Sequence, residues 1–241
     1  MKILKKLSAK ENDLYGKGGA VIAFLGDSVT QGCFECYLTS PTSLETVFDN
    51  ENAYSMKVKK ILHTLYPKAQ ITIVDSGISG DSAPNGLKRF ERDVARYSPD
   101  LTVVCFGLND STAGLGNLER YAAALDGIFK RLQEIGSEII FMTPNTMNLQ
   151  TSPHLTDELF QRLAVSFAKI QNEGVLDAFV ARAKEVAKAN GVPVCDCYAK
   201  WKKMAEYGVN TTELLSNKLN HPTRDMHWLF ATSLVETIFE N

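Results

Sequence analysis

The sequence AVIAFLGDSVT, residues 20–30, joins a short apolar run to a polar turn and places Ser28 directly after that turn. Runs of this kind, rich in Val, Ile and Phe and bounded by Gly, Pro, Asp or Asn, are typical of strands buried on both faces. Four further runs share the pattern and are Ile71–Val74, Leu101–Phe106, Glu138–Met142 and Val192–Cys197. We therefore predict five buried strands, of which Ala20–Leu25 is the first.

The segments between these runs carry apolar residues at helical spacing. Such apolar faces occur in Tyr54–Leu65, Leu118–Leu132 and Met226–Phe239. The stretch Thr156–Asn190 is expected to be helical with a break at Gly174. Strands that alternate with helices form a parallel sheet covered on both faces, so the sequence predicts an α/β fold. In such a fold the ligand site is expected at the carboxyl ends of the strands.

The chain has 241 residues, and neither a repeat nor a linker divides the pattern, so we predict one domain over 1–241 with 1–19 as an N-terminal extension. A net charge of -2, from 26 Lys and Arg against 28 Asp and Glu, argues against nucleic-acid and membrane partners. The N-terminus lacks the apolar core of a secretory signal, and an odd number of cysteines does not suggest a disulfide framework. These features indicate a cytoplasmic protein, and a homo-oligomer is left open.

Residues suited to acyl transfer follow the predicted strands. Ser28 follows the first strand, Gly80 lies in a turn after the second, and Asn109 follows the third. His221 precedes the last helix. A serine can attack a carbonyl carbon, a histidine can take its proton, and N–H groups from glycine and asparagine can bind the oxyanion that forms. Each residue alone is explained as well by a turn or a helix cap, and their co-occurrence is what favours this chemistry.

These residues stand in four blocks, Gly26-Asp27-Ser28, Ile78-Ser79-Gly80-Asp81, Gly107-Leu108-Asn109-Asp110 and His221-Pro222. The blocks and their order resemble those of the SGNH, or GDSL-type, esterase and lipase family, and they cover nearly the whole chain. The resemblance implies a flavodoxin-like three-layer α/β/α sandwich with a five-stranded parallel sheet. It further implies that Ser28 is the nucleophile, that His221 is the general base, and that Gly80 and Asn109 complete the oxyanion hole with the Ser28 N–H. The chemistry itself requires no metal and no organic cofactor.

One position departs from the family pattern. The family usually has an aspartate three residues before the histidine, where this chain has Lys218, which cannot accept a hydrogen bond. In one alternative, Asn217, Asn220 or a backbone carbonyl orients the imidazole of His221 in a serine–histidine dyad. In another, a more distant carboxylate such as Asp225 completes a triad, and in a third the activity is lost. The dyad predicts a lowered pKa for the histidine, which a Lys218→Asp replacement should raise.

Two residues near the four blocks are candidates for substrate binding. Asp27 adjoins the serine and either contacts substrate or acts as a structural turn residue. Asn145 lies in the amide-rich loop 143–150 after the fourth predicted strand, a composition that suits the hydroxyl groups of a carbohydrate. Loops of this composition also arise without a ligand.

The cysteines have spacings found in redox and zinc sites, Cys33 with Cys36 and Cys195 with Cys197. Zinc requires four well-spaced ligands, and Cys195 and Cys197 are expected to point to opposite faces of a strand, so no metal site is predicted. Small, partly buried side chains are the favoured interpretation, with Cys33 and Cys36 near the mouth of the pocket. His227 is expected on the last helix, where it packs.

The sequence therefore predicts a serine hydrolase that cleaves a small-molecule carboxylic ester through an acyl-enzyme, with an O-acetylated sugar as one candidate substrate. Acyl transfer to an alcohol uses the same residues and is the alternative within catalysis. A non-catalytic carbohydrate-binding relative of the fold, suggested by Lys218, is the alternative from another class. A flavin or nucleotide binder is disfavoured because the turn after the first strand lacks a glycine-rich phosphate loop.

Overall fold

The computed structural model describes residues 1–241. Its strands are β1 (Ala20–Gly26), β2 (Cys33–Ser40), β3 (Ser43–Phe48), β4 (Ile71–Gly77), β5 (Leu101–Cys105), β6 (Glu138–Met142) and β7 (Val194–Cys195). Its helices are α1 (Lys2–Asn12), α2 (Ser28–Gln31), α3 (Tyr54–Leu65), α4 (Ala83–Lys88), α5 (Phe90–Asp93), α6 (Leu108–Ser111), α7 (Leu118–Glu134), α8 (Glu158–Asn172), α9 (Val175–Ala189), α10 (Cys197–Glu206) and α11 (His227–Glu240). None of these helices combines the length and the apolar character needed to span a bilayer.

Five strands form one parallel sheet in the order β4-β1-β5-β6-β7, which confirms the predicted α/β class. Counted along the chain, the second strand lies outside the first, as in flavodoxin-like folds. At the carboxyl end of β1, Gly26 pairs with Gly77 on one side and with Cys105 on the other. The turns that follow β1, β4 and β5 therefore meet at one edge of the sheet.

Helices cover both faces of the sheet. Phe24 of β1 packs edge-on against Tyr54 of α3, which packs in turn against Phe230 of α11. On the opposite face, Phe141 of β6 packs against Phe129 of α7. Burial of such aromatic side chains is the main contribution to the core. The three-layer α/β/α sandwich is thus confirmed.

Helix α1 belongs to the folded core, although it lies in the segment predicted as an extension. Ile3 and Leu7 are fully buried in the same hydrophobic cluster as the sheet. The carboxylate of Glu138, at the start of β6, accepts the backbone N–H groups of Lys2 and Ile3 at 2.7 Å. It satisfies two of the N–H groups that a helix start leaves without a partner.

An antiparallel hairpin, β2–β3, was not predicted from the sequence. It forms a sheet of its own, and its residues are mostly exposed beyond Phe34. On its inner face, Cys36 and Leu38 pack against a small cluster that contains Phe160 of α8. The hairpin is nevertheless important for function because it passes beside the candidate active site.

The last strand of the sheet is shorter than predicted. Strand β7 ends at Cys195, and Asp196 caps α10 by accepting the N–H of Ala199 at 3.2 Å. Cys197 is therefore the first residue of a helix. The expectation that Cys195 and Cys197 point to opposite faces is wrong, since their sulfur atoms lie 3.7 Å apart. The predicted break at Gly174, which has a φ of 75°, separates α8 from α9 as expected.

Candidate active site

Ser28 is the first residue of α2, directly beyond the carboxyl end of β1. The turn is tight: a Cβ added at Gly26 would come within 2.0 Å of Thr30 Oγ1, so only glycine fits there. Asp27 caps the helix because its Oδ1 accepts the N–H of Val29 at 3.0 Å. The N–H of Ser28, at the start of the helix, has no partner within it and is free to bind an anion.

His221 lies against this serine, although the two residues are far apart in the chain. Its Nε2 is 3.0 Å from Ser28 Oγ, and its Nδ1 is 3.0 Å from the carbonyl oxygen of Phe34 in β2. A carbonyl oxygen can only accept, so Nδ1 carries the proton and donates it to Phe34. Nε2 is then unprotonated and accepts from the serine hydroxyl. This is the tautomer that a general base requires.

The imidazole environment makes protonation of His221 unfavourable. Only 5% of the residue is exposed, and burial lowers its pKa to about 4. The hydrogen bond to Phe34 and the carboxylate of Glu35 act in the opposite direction but do not restore the ordinary value. The lowered pKa predicted from the missing aspartate has the right direction, and desolvation is its largest cause.

Lys218, at the position where the family has an aspartate, does not face the imidazole. It has a φ of 57°, and its Nζ lies 3.0 Å from the carboxylate of Glu213. The neighbouring Asn217 organises the turn, because its Oδ1 accepts three backbone N–H groups, those of residues 219, 220 and 221, at 2.9 to 3.0 Å. Of the alternatives from sequence, the observed contacts match those expected for the dyad with a backbone carbonyl as acceptor.

The two distant aspartates have other partners. Asp196 caps α10 and forms an ion pair with Lys184. Asp225 lies just before α11, where its charge acts on Lys57. Neither makes a hydrogen bond to His221, whose two ring nitrogens are occupied by Ser28 and Phe34.

Gly80 and Asn109 lie in the turns that follow β4 and β5, at the same sheet edge as Ser28. Gly80 is exposed and has a φ of 75°, a conformation that favours glycine. Its turn is tied to β1 through the N–H of Ile78, which donates to the carbonyl of Gly26 at 3.2 Å. One amide hydrogen of Asn109 is donated to the carbonyl of Asp81 at 2.8 Å, which leaves the other without a protein partner.

Two buried carboxyl groups lie beneath these turns. Asp27 is 1% exposed, and burial raises its pKa to about 7. Asp110, next to Asn109, accepts the N–H of Ala83 at 3.1 Å, and burial likewise raises its pKa to about 7. With so little exposed surface, Asp27 has the structural turn role that the sequence allowed and offers no surface to a substrate.

Asn145 is fully buried, so its predicted contact with a sugar hydroxyl is not supported. Its amide donates to the carbonyl oxygens of Thr146 at 2.8 Å and of Asn220 at 2.9 Å. The second of these bonds ties the loop after β6 to the residue that precedes His221. The amide composition of this loop therefore stabilises the histidine turn from within.

Three further groups contact the histidine region. Cys36 Sγ lies 4.0 Å from His221 Nδ1, consistent with the expectation that this cysteine is near the site. His227 begins α11 and is completely buried, and its Nδ1 accepts the N–H of Tyr54 at 3.0 Å. Arg224 binds Glu35 of β2, which sequence reasoning did not single out. No group of three or more His, Cys, Asp or Glu side chains is arranged to hold a metal ion.

Little of the candidate nucleophile is open to solvent, since Ser28 is 3% exposed. A cavity of about 270 Å³ lies nearby, between the end of β4 and Arg89.

Comparison with known proteins identifies the family of the chain. The sequence profile of the GDSL-like lipase/acylhydrolase family matches residues 24–229, a span that contains Ser28, Gly80, Asn109 and His221. An acetylxylan esterase from Geobacillus stearothermophilus is 26% identical over 174 residues, which cover 68% of this chain and 78% of that relative.

Solved structures share the fold at lower identity. A catalytic mutant of Axe2, an acetylxylan esterase from Geobacillus stearothermophilus, superposes with a TM-score of 0.66 at 19% identity and covers 92% of this chain and 95% of its own. The two-domain esterase CEX, active on acetylated mannans, gives a TM-score of 0.67 at 19% identity over 99% of this chain. The match spans 52% of CEX, so this chain corresponds to about half of that protein.

Proposed function

This chain belongs to the GDSL-like lipase/acylhydrolase family and is a carboxylic ester hydrolase, and we propose that it removes acetyl groups from O-acetylated carbohydrates through an acyl-enzyme on Ser28. The observation that carries the mechanism is the pair of 3.0 Å contacts of His221, with Ser28 Oγ on one side and the Phe34 carbonyl on the other. These contacts present an unprotonated nitrogen to the serine hydroxyl before substrate arrives.

In the first half-reaction, Ser28 Oγ attacks the ester carbonyl carbon while His221 Nε2 takes the hydroxyl proton. The carbonyl π electrons move to oxygen and give a tetrahedral oxyanion. When this collapses, the bond to the sugar oxygen breaks, and the imidazolium gives its proton to that oxygen. The sugar leaves as an alcohol, and the acetyl group remains on Ser28.

In the second half-reaction, water takes the place of the sugar. His221 accepts one proton from the water as the water oxygen attacks the acetyl carbon. When the tetrahedral oxyanion collapses, the bond from the acetyl carbon to Ser28 Oγ breaks, and the imidazolium gives its proton to Oγ. Acetic acid leaves and ionises to acetate. The imidazolium exists only briefly in each half. A neutral carbonyl acceptor such as that of Phe34 stabilises it less than a carboxylate does, so the dyad should have a smaller maximal rate than a triad.

The oxyanion is stabilised, in this proposal, by three donors. They are the backbone N–H groups of Ser28 and Gly80 and the side-chain amide of Asn109, which lie in the turns after β1, β4 and β5. The hydrogen bond from Asn109 to the Asp81 carbonyl, at 2.8 Å, fixes the amide next to the glycine turn. Donors that are fixed before the reaction stabilise developing charge without reorganisation.

The choice of an acetylated sugar rests on two observations. The low exposure of Ser28, 3%, favours a short acyl group. The relatives that the chain resembles are described as an acetylxylan esterase and as an esterase active on acetylated mannans. The sugar itself is the alcohol moiety in this proposal.

The test compares acyl chain lengths and acceptors. Hydrolysis of p-nitrophenyl acetate, butyrate and octanoate is measured together with acetate release from acetylated xylo-oligosaccharides. We expect the acetate ester to be preferred and the acetylated oligosaccharide to be deacetylated, both lost in Ser28→Ala. Preference for octanoate contradicts the acetyl assignment. Formation of a new ester with an added alcohol, in place of free acetate, identifies acyl transfer, and an inactive wild-type protein identifies a binding module.

A further inference from the structure

Arg224 connects the histidine turn to the β2–β3 hairpin. It lies three residues after His221 and binds the carboxylate of Glu35 through two nitrogens, at 2.7 and 3.1 Å. Its Nε donates to Asp49, just beyond β3, at 2.6 Å. Two-nitrogen contacts of this kind fix the orientation of both partners as well as their distance. Arg224, Glu35 and Asp49 are called the Arg224 network below.

The same guanidinium also contacts Phe34. Its central carbon lies 4.3 Å from the centre of the Phe34 ring, a cation–π arrangement. The carbonyl that accepts from His221 Nδ1 belongs to the peptide group between Phe34 and Glu35. Arg224 therefore binds the side chains on both sides of that peptide group, one through its face and the other through its nitrogens.

This peptide group lies where the hairpin ladder is irregular. Cys33 pairs with Phe48 and Cys36 pairs with Thr46, and the register shifts between the two pairs. Such irregularities leave a residue without a regular cross-strand partner and bend the strand. Regular pairing therefore does not fix the direction of the Phe34 carbonyl. The contacts of the Phe34 and Glu35 side chains fix it instead.

We propose that Arg224 is a positioning residue for His221, which holds the Phe34 carbonyl against Nδ1 through the ring of Phe34 and the carboxylate of Glu35. In this way the Arg224 network performs the orienting task of the aspartate that is replaced by Lys218. The inference rests on the proposed role of His221 as general base. It adds that the hairpin, which lies outside the main sheet, helps to orient His221 in the proposed dyad.

The charged groups around the imidazole predict different pH profiles for two variants of the Arg224 network, Glu35→Gln and Arg224→Gln. Glu35 is the charged group that raises the pKa of His221 against the effect of burial. The other titratable neighbours are the Cys36 thiol, 4.0 Å from Nδ1, and the buried His227, whose own pKa burial lowers to about 3. Glu35→Gln should therefore lower the acidic limb of kcat/KM, and Arg224→Gln should not, since it leaves the carboxylate in place.

The variants Arg224→Gln, Arg224→Lys and Glu35→Gln are assayed with p-nitrophenyl acetate beside a matched control. The control is Arg182→Gln, because Arg182 also binds a glutamate through two nitrogens, both at 3.0 Å, and has the same side-chain exposure of about one third, but lies on α9. We expect Arg224→Gln to lower kcat by about tenfold to 100-fold with KM within about twofold, as misplacement of a catalytic group does. Arg224→Lys keeps the positive charge but lacks the planar guanidinium that binds a carboxylate through two nitrogens, so its kcat should be intermediate. Arg182→Gln should match wild type.

The double variant Arg224→Gln/Glu35→Gln decides whether the two residues act through one contact. If they do, its loss in kcat is no larger than that of the worse single variant, whereas additive losses overturn the inference. A kcat within about twofold of wild type in Arg224→Gln, or in Glu35→Gln should the first variant not fold, overturns it as well. These results concern positioning only if the wild-type enzyme is active and is labelled at Ser28 by a fluorophosphonate. An inactive, unlabelled wild type instead overturns the proposed function, and the inference with it.

Discussion

The imidazole Nδ1 of His221 lies 3.0 Å from the carbonyl oxygen of Phe34, in a hairpin outside the main sheet. A carbonyl selects the same tautomer of the ring as an ionised carboxylate does, because it too can only accept. It brings no negative charge, however, and the protonated ring is correspondingly less stable. As the proposed base, His221 is thus correctly oriented but weak. We expect the pH response of the enzyme to follow from this combination of fixed orientation and missing charge.

The acidic limb of the kcat/KM profile should lie at a low pH. Because burial lowers the pKa of His221 to about 4, the ring stays unprotonated and able to accept from Ser28 well below neutral pH. We expect kcat/KM for p-nitrophenyl acetate to fall only as the pH approaches about 4. Chromatographic detection of p-nitrophenol, with circular dichroism at each pH, measures it. An acidic limb at 6.5, the ordinary value for histidine, contradicts the account.

The free energy of unfolding should also depend on the protonation of His221. The pKa of His221 is lower in the folded state, about 4 against an ordinary 6.5, so the unfolded chain binds more protons between these values. Its contribution to stability is present above pH 6.5 and is lost as the pH falls towards 4. His227, with a pKa lowered to about 3, acts in the same direction, so activity near the acidic limb must be measured before the protein unfolds.

Replacing Lys218 by Asp should not create a triad. The Lys218 side chain is directed to Glu213, at 3.0 Å, and not to the imidazole. We therefore expect Lys218→Asp to leave the acidic limb of kcat/KM and the maximal rate nearly unchanged. The free energy of unfolding should fall by about 1 kcal/mol, because an ion pair is replaced by two like charges. A limb that moves up towards the ordinary histidine pKa would show that this position faces the ring after all.

Asn109→Ala should affect kcat more than KM. Loss of one oxyanion donor typically costs about 100- to 1000-fold in kcat, since the interaction strengthens in the transition state. Asn85, an exposed asparagine on α4, provides the control variant Asn85→Ala, which should keep wild-type kinetics. Steady-state kinetics with p-nitrophenyl acetate distinguish the two. If Asn109→Ala keeps the full kcat, Asn109 does not stabilise the oxyanion, and its hydrogen bond to Asp81 is its only role.

Asp110→Asn should stabilise the protein at alkaline pH. Burial raises the pKa of Asp110 to about 7, so the folded state binds the proton more tightly than the unfolded state and loses stability as the pH rises through that value. An asparagine keeps an oxygen for the Ala83 N–H and carries no charge. We expect a gain on the order of 2 kcal/mol at pH 8 and little change near pH 4, measured by urea unfolding. Equal effects at both pH values contradict the buried-charge explanation.

The sequence was sufficient to predict the main sheet and the residues at its edge. Five runs dense in Val, Ile and Phe mark strands buried on both faces. The residues that follow β1, β4 and β5 stand out because groups suited to acyl transfer occur together at successive strand ends. The hairpin was missed because its strands are mostly exposed and carry no continuous apolar run. Its register shift also removes the alternation by which an exposed strand is recognised.

The acceptor of His221 could not be identified from the sequence, because it is a backbone carbonyl. Every residue has one, so the amino acid at position 34 carries no sign of this role. The prediction for Asn145 was wrong for a different reason. Its amide is suited to sugar hydroxyls, but in the structure it donates to the Asn220 carbonyl at 2.9 Å. Whether a polar side chain faces a ligand or the protein depends on tertiary packing, which composition does not report.

The central claim is that Ser28 is the nucleophile activated by His221, and intact-mass spectrometry after fluorophosphonate treatment tests it most directly. The 3.0 Å contact from Oγ to Nε2 predicts one adduct per chain in the wild type, none in Ser28→Ala, and much slower labelling in His221→Ala. Hydrolysis of p-nitrophenyl acetate should fall by about 10⁴-fold or more in both variants. An adduct on another serine, or a Ser28→Ala variant that retains the wild-type rate, contradicts the account.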